Sequence, residues 1–180
     1  MKMKIESINP KELVPAPWRA TYILKPDLSL LAKSMERYGW TSPILVSSRT
    51  MHVIDGHERR SLALAHKRLA QQDGTVPVIM YDIGETDAMM MHVVANRARG
   101  AVMNARLSQI VRTVSMARSH SENEIMEAMG IGALEFRILI DGSLVKSRKV
   151  ADHAYSKAWV PVEAKSDEKP LMERPPNKDR

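Results

Sequence analysis

The stretch VIDGHERRSLALAHKRL, residues 53–69, joins an apolar, strand-like run to a helix-like run through a single glycine, Gly56. A strand that turns on a glycine into a helix leaves the first helical N–H groups unpaired and aims the positive end of the helix dipole at the turn. Such a turn is a natural anion site, with phosphate as its guest. Arg59 and Arg60 fall in the first helical turn, where guanidiniums add charge-assisted contacts to phosphate oxygens, and Gly56 lets the backbone approach closely. The same residues would also make a plain β-turn, with its arginines paired to Asp55 and Glu58 on the surface.

Working outward, the first hundred residues read as mixed α/β. KIESI and ELV before the proline-broken PAPW suggest a short strand and a loop. DLSLLAKSMERYG predicts a helix capped by Asp27, with Leu30, Leu31, Met35 and Tyr38 near helical spacing and Gly39 as its stop. PILVSS and MHVID predict two strands joined by a turn; VPVIMYDI predicts another strand, and ETDAMMMHVVANRARG a helix. This βαββαβα order predicts an α/β (α+β) fold with a compact sheet and helices on it. From residue 101 the character turns helical: NARLSQIVRTVSMARS places Leu107, Ile110, Val111 and Val114 on one face, and residues 122–129 and 133–140 predict two short helices around a tight glycine turn. The expected organisation is therefore a mixed domain over 1–100, a helical subdomain over 101–142 and a basic, disordered tail over 143–180.

Composition narrows the function. With no cysteine among 180 residues, disulfides, thiolate zinc sites and thiol nucleophiles are excluded. No apolar run is long enough to cross a bilayer, and MKMKIESINP lacks the apolar stretch of a secretory signal, so a cytoplasmic protein with no membrane partner is expected. A formal net charge of +6 favours a polyanionic partner. That charge is uneven. Arg97, Arg99, Arg106, Arg112 and Arg118 occupy an acid-free segment, whereas residues 119–141 carry Glu122, Glu124, Glu127, Glu135 and Asp141 against Arg137 alone.

The metal and nucleotide signatures of other classes are missing. HERRS begins like H-E-x-x-H but has Ser61 where the second histidine must stand, and the zinc-deaminase pattern needs cysteines. There is no G-x-x-x-x-G-K-[ST], and Gly130-Ile131-Gly132 lacks both a preceding strand and a third glycine. His52, His57 and His66 read as turn or surface residues, and MMMH at 89–92 as flexible core filling.

Three pieces, in order over about residues 3–141, resemble the ParB/sulfiredoxin superfamily. The first is IESINPKELVPAP with LSLLAKSMERYGWTSPILV, similar to the family's strand, loop, helix and G-x-x-x-P-I-x-V strand. The second is VIDGHER, which resembles its phosphate-binding G-x-x-R box. The third is ANRARG, similar to N-x-x-R of its second nucleotide-facing box. The resemblance implies that Gly56, His57, Glu58 and Arg59, with Arg60 beside them, surround a nucleoside triphosphate, CTP or ATP. It also implies that Asn96 lies beside the phosphates and a magnesium ion, with Arg99 nearby. In ParB partition proteins CTP and magnesium close a dimer into a clamp around DNA, so a homodimer is implied. Two departures stand out. Ala95 replaces the acid of E-N-x-x-R, and G-H-E-R replaces G-E-R-R, closer to the D-G-H-x-R form of branches that include a free-serine kinase. Sulfiredoxin activity, which needs a cysteine, is excluded.

The primary expectation is a ParB-like, nucleotide-binding, DNA-associated protein, a small regulator or partition-like factor of plasmid or phage type, nucleoid-associated when on DNA. Arg97, Arg106, Arg112, Arg118 and Arg137 are its expected DNA contacts. The pair of short helices resembles a helix-turn-helix in position, but its second helix offers only Arg137 to a base edge. The chain opens almost at its first strand and ends soon after Gly142, which favours DNA binding over full partition activity. An alternative is an NTPase, phosphotransferase or nuclease using Asp55, His57 and Glu58 as base or metal ligand, although PAPWRATYILK offers no acid to complete such a site. A third is a protein-interaction module for an acidic partner.

Overall fold

Val53 and Ile54 are adjacent, both fully buried, and belong to different hydrophobic clusters, because successive side chains of a strand point to opposite faces. Their strand is therefore covered on both sides, and the architecture follows from that. The computed structural model describes residues 4–21, 23–99 and 102–141. These all belong to a unit spanning Met1–Val145; the 143–180 tail, expected to be disordered, lies outside the described residues.

A five-stranded mixed sheet runs in the order β1-β5-β3-β4-β2, with β1 at Ile5–Ile8, β2 at Val14–Pro15, β3 at Ile44–Ser47, β4 at His52–Asp55 and β5 at Val76–Tyr81. β3 and β4 form the expected antiparallel pair, with a register shift between Leu45 and Val46. β5 lies parallel to β3, which requires a crossover, and α2 (His57–Ala65) with a 3-10 turn at Lys67–Leu69 supplies it. β1 pairs antiparallel with β5, and the two-residue β2 parallel with β4.

One face of the sheet buries Leu13, Ile44, Val46, Val53, Val76 and Val78 with Ala63 of α2. α1 (Lys25–Tyr38) packs against α2 and the 3-10 turn that follows it through Met35, Leu62 and Leu69. The other face carries α3 (Glu85–Arg97), which in turn packs against α4 (Asn104–Ala117) and α5 (Glu122–Met129), while α4 packs on α6 (Ala133–Asp141). A single cluster runs from Trp18 and Ile54 through Met89 and Val93 to Val111, Ile125 and Leu139, so the sheet and the helices that follow it share one apolar core. Leu107, Ile110, Val111 and Val114 are all buried, as their spacing requires.

Two local expectations are corrected. α1 begins at Lys25 with Pro26 in its first turn, so Asp27 sits inside the helix rather than capping it, since the fixed φ of proline suits a helix start. Only Leu31 and Met35 of its apolar stripe pack inward, while Leu30 and Tyr38 are exposed. α5 opens on a reciprocal capping box between Ser121 and Glu124 and closes on Gly130 at φ 62°.

Candidate functional site

Gly56 stands between β4 and α2 at φ 96°, a left-handed conformation that L side chains adopt only at a cost. No side chain caps α2, so its first N–H groups remain available at the turn. A Cβ at position 56 would lie 3.0 Å from Nη2 of Arg59 and 3.3 Å from Cγ1 of Ile44. The glycine is needed both for its backbone angle and for the path of the arginine folded over it.

Arg59 reaches across the turn. Its Nη1 donates to the Ser42 carbonyl at 3.0 Å and its Nη2 lies 3.4 Å from Oδ2 of Asp55. Arg99, from the turn after α3, donates through Nη1 to the same Oδ2 at 2.9 Å. Burial alone would push the Asp55 carboxyl up, but the hydrogen bond and charge of Arg99, joined by Arg59, bring it below the usual carboxylate range. Glu58 pairs with Arg19, whose Nε also donates to the Thr21 carbonyl at 2.7 Å. The surface-turn pairing of Arg59 with Asp55 is thus present, but both side chains are largely buried and a third group, Arg99, joins them.

These residues line a cleft of about 400 Å³. Asp55, Gly56, Glu58 and Arg59 form one wall, Asn96 and Arg99 a second, and Leu31, Met35, Trp40, Thr41 and Ser42 the side toward α1. The size is in the range of small-molecule sites, and the apolar side could receive a flat ring while the cationic end receives an anion. Six of the residues singled out from sequence therefore meet at one place.

His57 and Arg60 do not line the cleft. His57 is 5% exposed and lies beneath the turn, its ring edge-on to His92 at 6.0 Å between centroids. Burial, with Arg19 and His92 nearby, lowers its pKa to about 3, so the ring is neutral. Its Nε2 and the Nε of Arg60 are buried without a hydrogen-bond partner among the described residues.

The sequence presents His92 only as part of a core-filling run, yet its ring ties α3 to Ile54 of β4 and to the loop at Ala20. Its Nδ1 lies 2.6 Å from the Ile54 carbonyl, which can only accept, and its Nε2 receives the Ala20 N–H at 3.0 Å. The ring is therefore the neutral tautomer with the proton on Nδ1. Asn96, one turn on, donates its amide nitrogen to the His92 carbonyl at 2.8 Å and thereby faces the cleft. The i, i+4 spacing of His92 and Asn96 was the one available signal. His52, half-buried beside Glu85 at 3.5 Å, is likewise not the surface residue its turn position suggested; His66 is exposed.

The arginine segment is not one stripe. Arg97 forms a two-pronged pair with Glu135, at 2.6 and 3.3 Å, and Arg112 donates to the Leu139 carbonyl at 3.3 Å. Arg106 contacts Gln109 at 3.2 Å; six positions before Arg112 on α4, it lies roughly 120° around the helix from it at about 100° per residue. Arg118, at the left-handed end of α4, and Arg137 on α6 are exposed.

No protein-family model matches the chain. It is 28% identical over 158 residues to the uncharacterized protein YbdM of Escherichia coli (strain K12), across 84% of this chain and 74% of that protein. Among solved structures it is similar to a Pnob8-like ParB-N domain, with a TM-score of 0.51 and 19% identity over 78% of this chain and 61% of that one. The chain thus spans less than two thirds of that structure's length. It is also similar to the C-terminally truncated chromosome-partitioning protein ParB of Caulobacter crescentus complexed to the centromeric parS site, with a TM-score of 0.51 and 18% identity over 81% of this chain and 78% of that one. No helix among the described residues is long and apolar enough to cross a membrane. The five-stranded mixed sheet with its six described helices is a ParB-N-like fold, the fold that the DGHER turn and its flanking motifs imply.

Proposed function

We propose that this chain is a nucleotide-binding, DNA-associated protein of the ParB type, a small regulator or partition-like factor. The observation that carries the reading is the convergence of Arg59, Arg99, Asn96 and the uncapped start of α2 on one cleft with an apolar side. The phosphates of CTP or ATP meet the guanidiniums and the N–H groups of the turn, and the base lies toward Trp40 and Met35. Asn96 hydrogen-bonds at the phosphate end, while His57 supports the turn from below.

Association with duplex DNA is supported by the basic chain and by the parS complex of the Caulobacter relative. Arg118 and Arg137 are exposed cations for backbone contact, with the half-buried Arg106 at the opposite end of α4 from Arg118; Arg97 is held back by Glu135.

Calorimetric titration with CTP, ATP, GTP and UTP tests the reading, with Arg59→Ala as control. One nucleotide binding in a manner that Arg59→Ala removes is the expected result; heats indistinguishable between the two proteins would overturn it.

A further inference from the structure

Both carboxylates that line the cleft are already committed. Asp55 Oδ2 takes Arg99 at 2.9 Å and Arg59 at 3.4 Å, and Glu58 pairs with Arg19. Magnesium demands near-octahedral oxygen donors and is usually held by one or two protein carboxylates together with substrate phosphates. Beyond these the two boxes offer the amide oxygen of Asn96, left free because the amide nitrogen donates to the His92 carbonyl, while position 95 offers only a methyl group. Among the described residues no group of three or more His, Asp or Glu could hold a metal ion. Every carboxylate this donor set would offer magnesium is thus already ion-paired to an arginine.

The charge balance points the same way. Around the turn, the guanidiniums of Arg19, Arg59 and Arg99 outnumber the carboxylates of Asp55 and Glu58, and the start of α2 adds further positive charge. A phosphate arriving here meets a cationic surface with no ion supplied. Arg59 and Arg99 share one carboxylate oxygen and Arg59 also donates to the Ser42 carbonyl, but with five N–H donors on each guanidinium both retain N–H groups for a further acceptor.

We infer that the cleft holds its phosphate ligand through arginines and backbone N–H groups alone, without a divalent ion, and that Asp55 is an internal counter-ion competing with that ligand. The inference rests on the nucleotide reading above. It goes beyond that reading by naming the ligand as the metal-free nucleotide. Magnesium in solution coordinates the same phosphate oxygens and opposes binding instead of assisting it. Asp55 then does for the empty cleft what the phosphate does for the filled one: it keeps two neighbouring guanidiniums in place against their mutual repulsion.

The test is calorimetry on the full chain with CTP and ATP, in EDTA and in excess magnesium, for the unaltered protein and for Asp55→Asn. The inference expects binding in EDTA, weakened several-fold by magnesium, and a several-fold tighter Kd for Asp55→Asn, because removing the internal carboxylate releases Arg59 and Arg99. Binding that appears only with magnesium, or that Asp55→Asn abolishes in a protein whose circular dichroism and Tm remain native-like, would overturn it while leaving the nucleotide reading standing. Silence in every condition would overturn both. The comparison of EDTA with magnesium on the unaltered protein decides the matter even if Asp55→Asn does not fold.

Discussion

Asp55 and Arg99, 44 residues apart in the chain, meet at 2.9 Å, and the same Asp55 oxygen also lies 3.4 Å from Arg59. The end of β4 is thereby tied to the turn after α3. Arg59 is the better buried of the two cations, with 14% of its side chain exposed against 59% for Arg99. Arg59→Ala is expected to cost about 2 kcal/mol of stability, because it removes a buried guanidinium bonded to both Asp55 and the Ser42 carbonyl, and Arg99→Ala under about 1 kcal/mol, because that nearer partner of Asp55 is largely exposed. Both should weaken nucleotide binding. Urea melts followed by nucleotide titration of each variant separate the two effects.

Gly56→Ala places a methyl 3.0 Å from Nη2 of Arg59 on a backbone at φ 96°. The expected loss is about 1–2 kcal/mol from the backbone alone, together with a displaced Arg59 and a weakened anion site. A variant that melts at the temperature of the unaltered protein would show that the turn does not need its glycine.

Acid should destabilise the fold through His57 and His92. Burial lowers the pKa of both, that of His57 to about 3, so below the ordinary histidine range the unfolded chain binds protons that the folded chain does not, for His57 down to about pH 3. Stability is then fully present above about pH 6.5 and falls as the pH drops, for His57 by up to about 1.4 kcal/mol per pH unit toward pH 3, with the buried His92 adding in the same direction. Denaturant midpoints measured from pH 7 to pH 4 give the slope, and His57→Phe should flatten it.

The Arg97–Glu135 pair joins α3 to α6 with both side chains partly exposed. A double-mutant cycle of Arg97→Ala and Glu135→Ala is expected to give a coupling of about 0.5–1 kcal/mol that shrinks with added salt. A coupling of zero at low salt would mean that the pair does not hold the helices together.

DNA affinity should fall with salt, and Arg118→Ala and Arg137→Ala should each lower the slope of log K against log salt by about one. Arg97→Ala should leave the slope unchanged, since its guanidinium is occupied by Glu135. Filter binding over a salt series reads all three.

Much of this was legible in the linear chain, because it depends on local chemistry. The alternation of MHVID, the glycine at 56 and the buried spacing of Leu107, Ile110, Val111 and Val114 follow from strand and helix periods and from a backbone angle that only glycine takes cheaply. Asp55, Gly56, Glu58, Arg59, Asn96 and Arg99 could also be named in advance from the two short motifs that carry them. The tertiary structure decided how they are used. Only the packing of α3 on β4 shows that Asp55 is shared by two arginines, that His57 is turned under the cleft and that His92 is a bonded tautomer rather than core filler. It also divides five neighbouring arginines between ion pairs, carbonyl contacts and solvent. Charge order along a chain gives the number of cations, but their availability depends on which carboxylates and carbonyls the fold brings within hydrogen-bond reach.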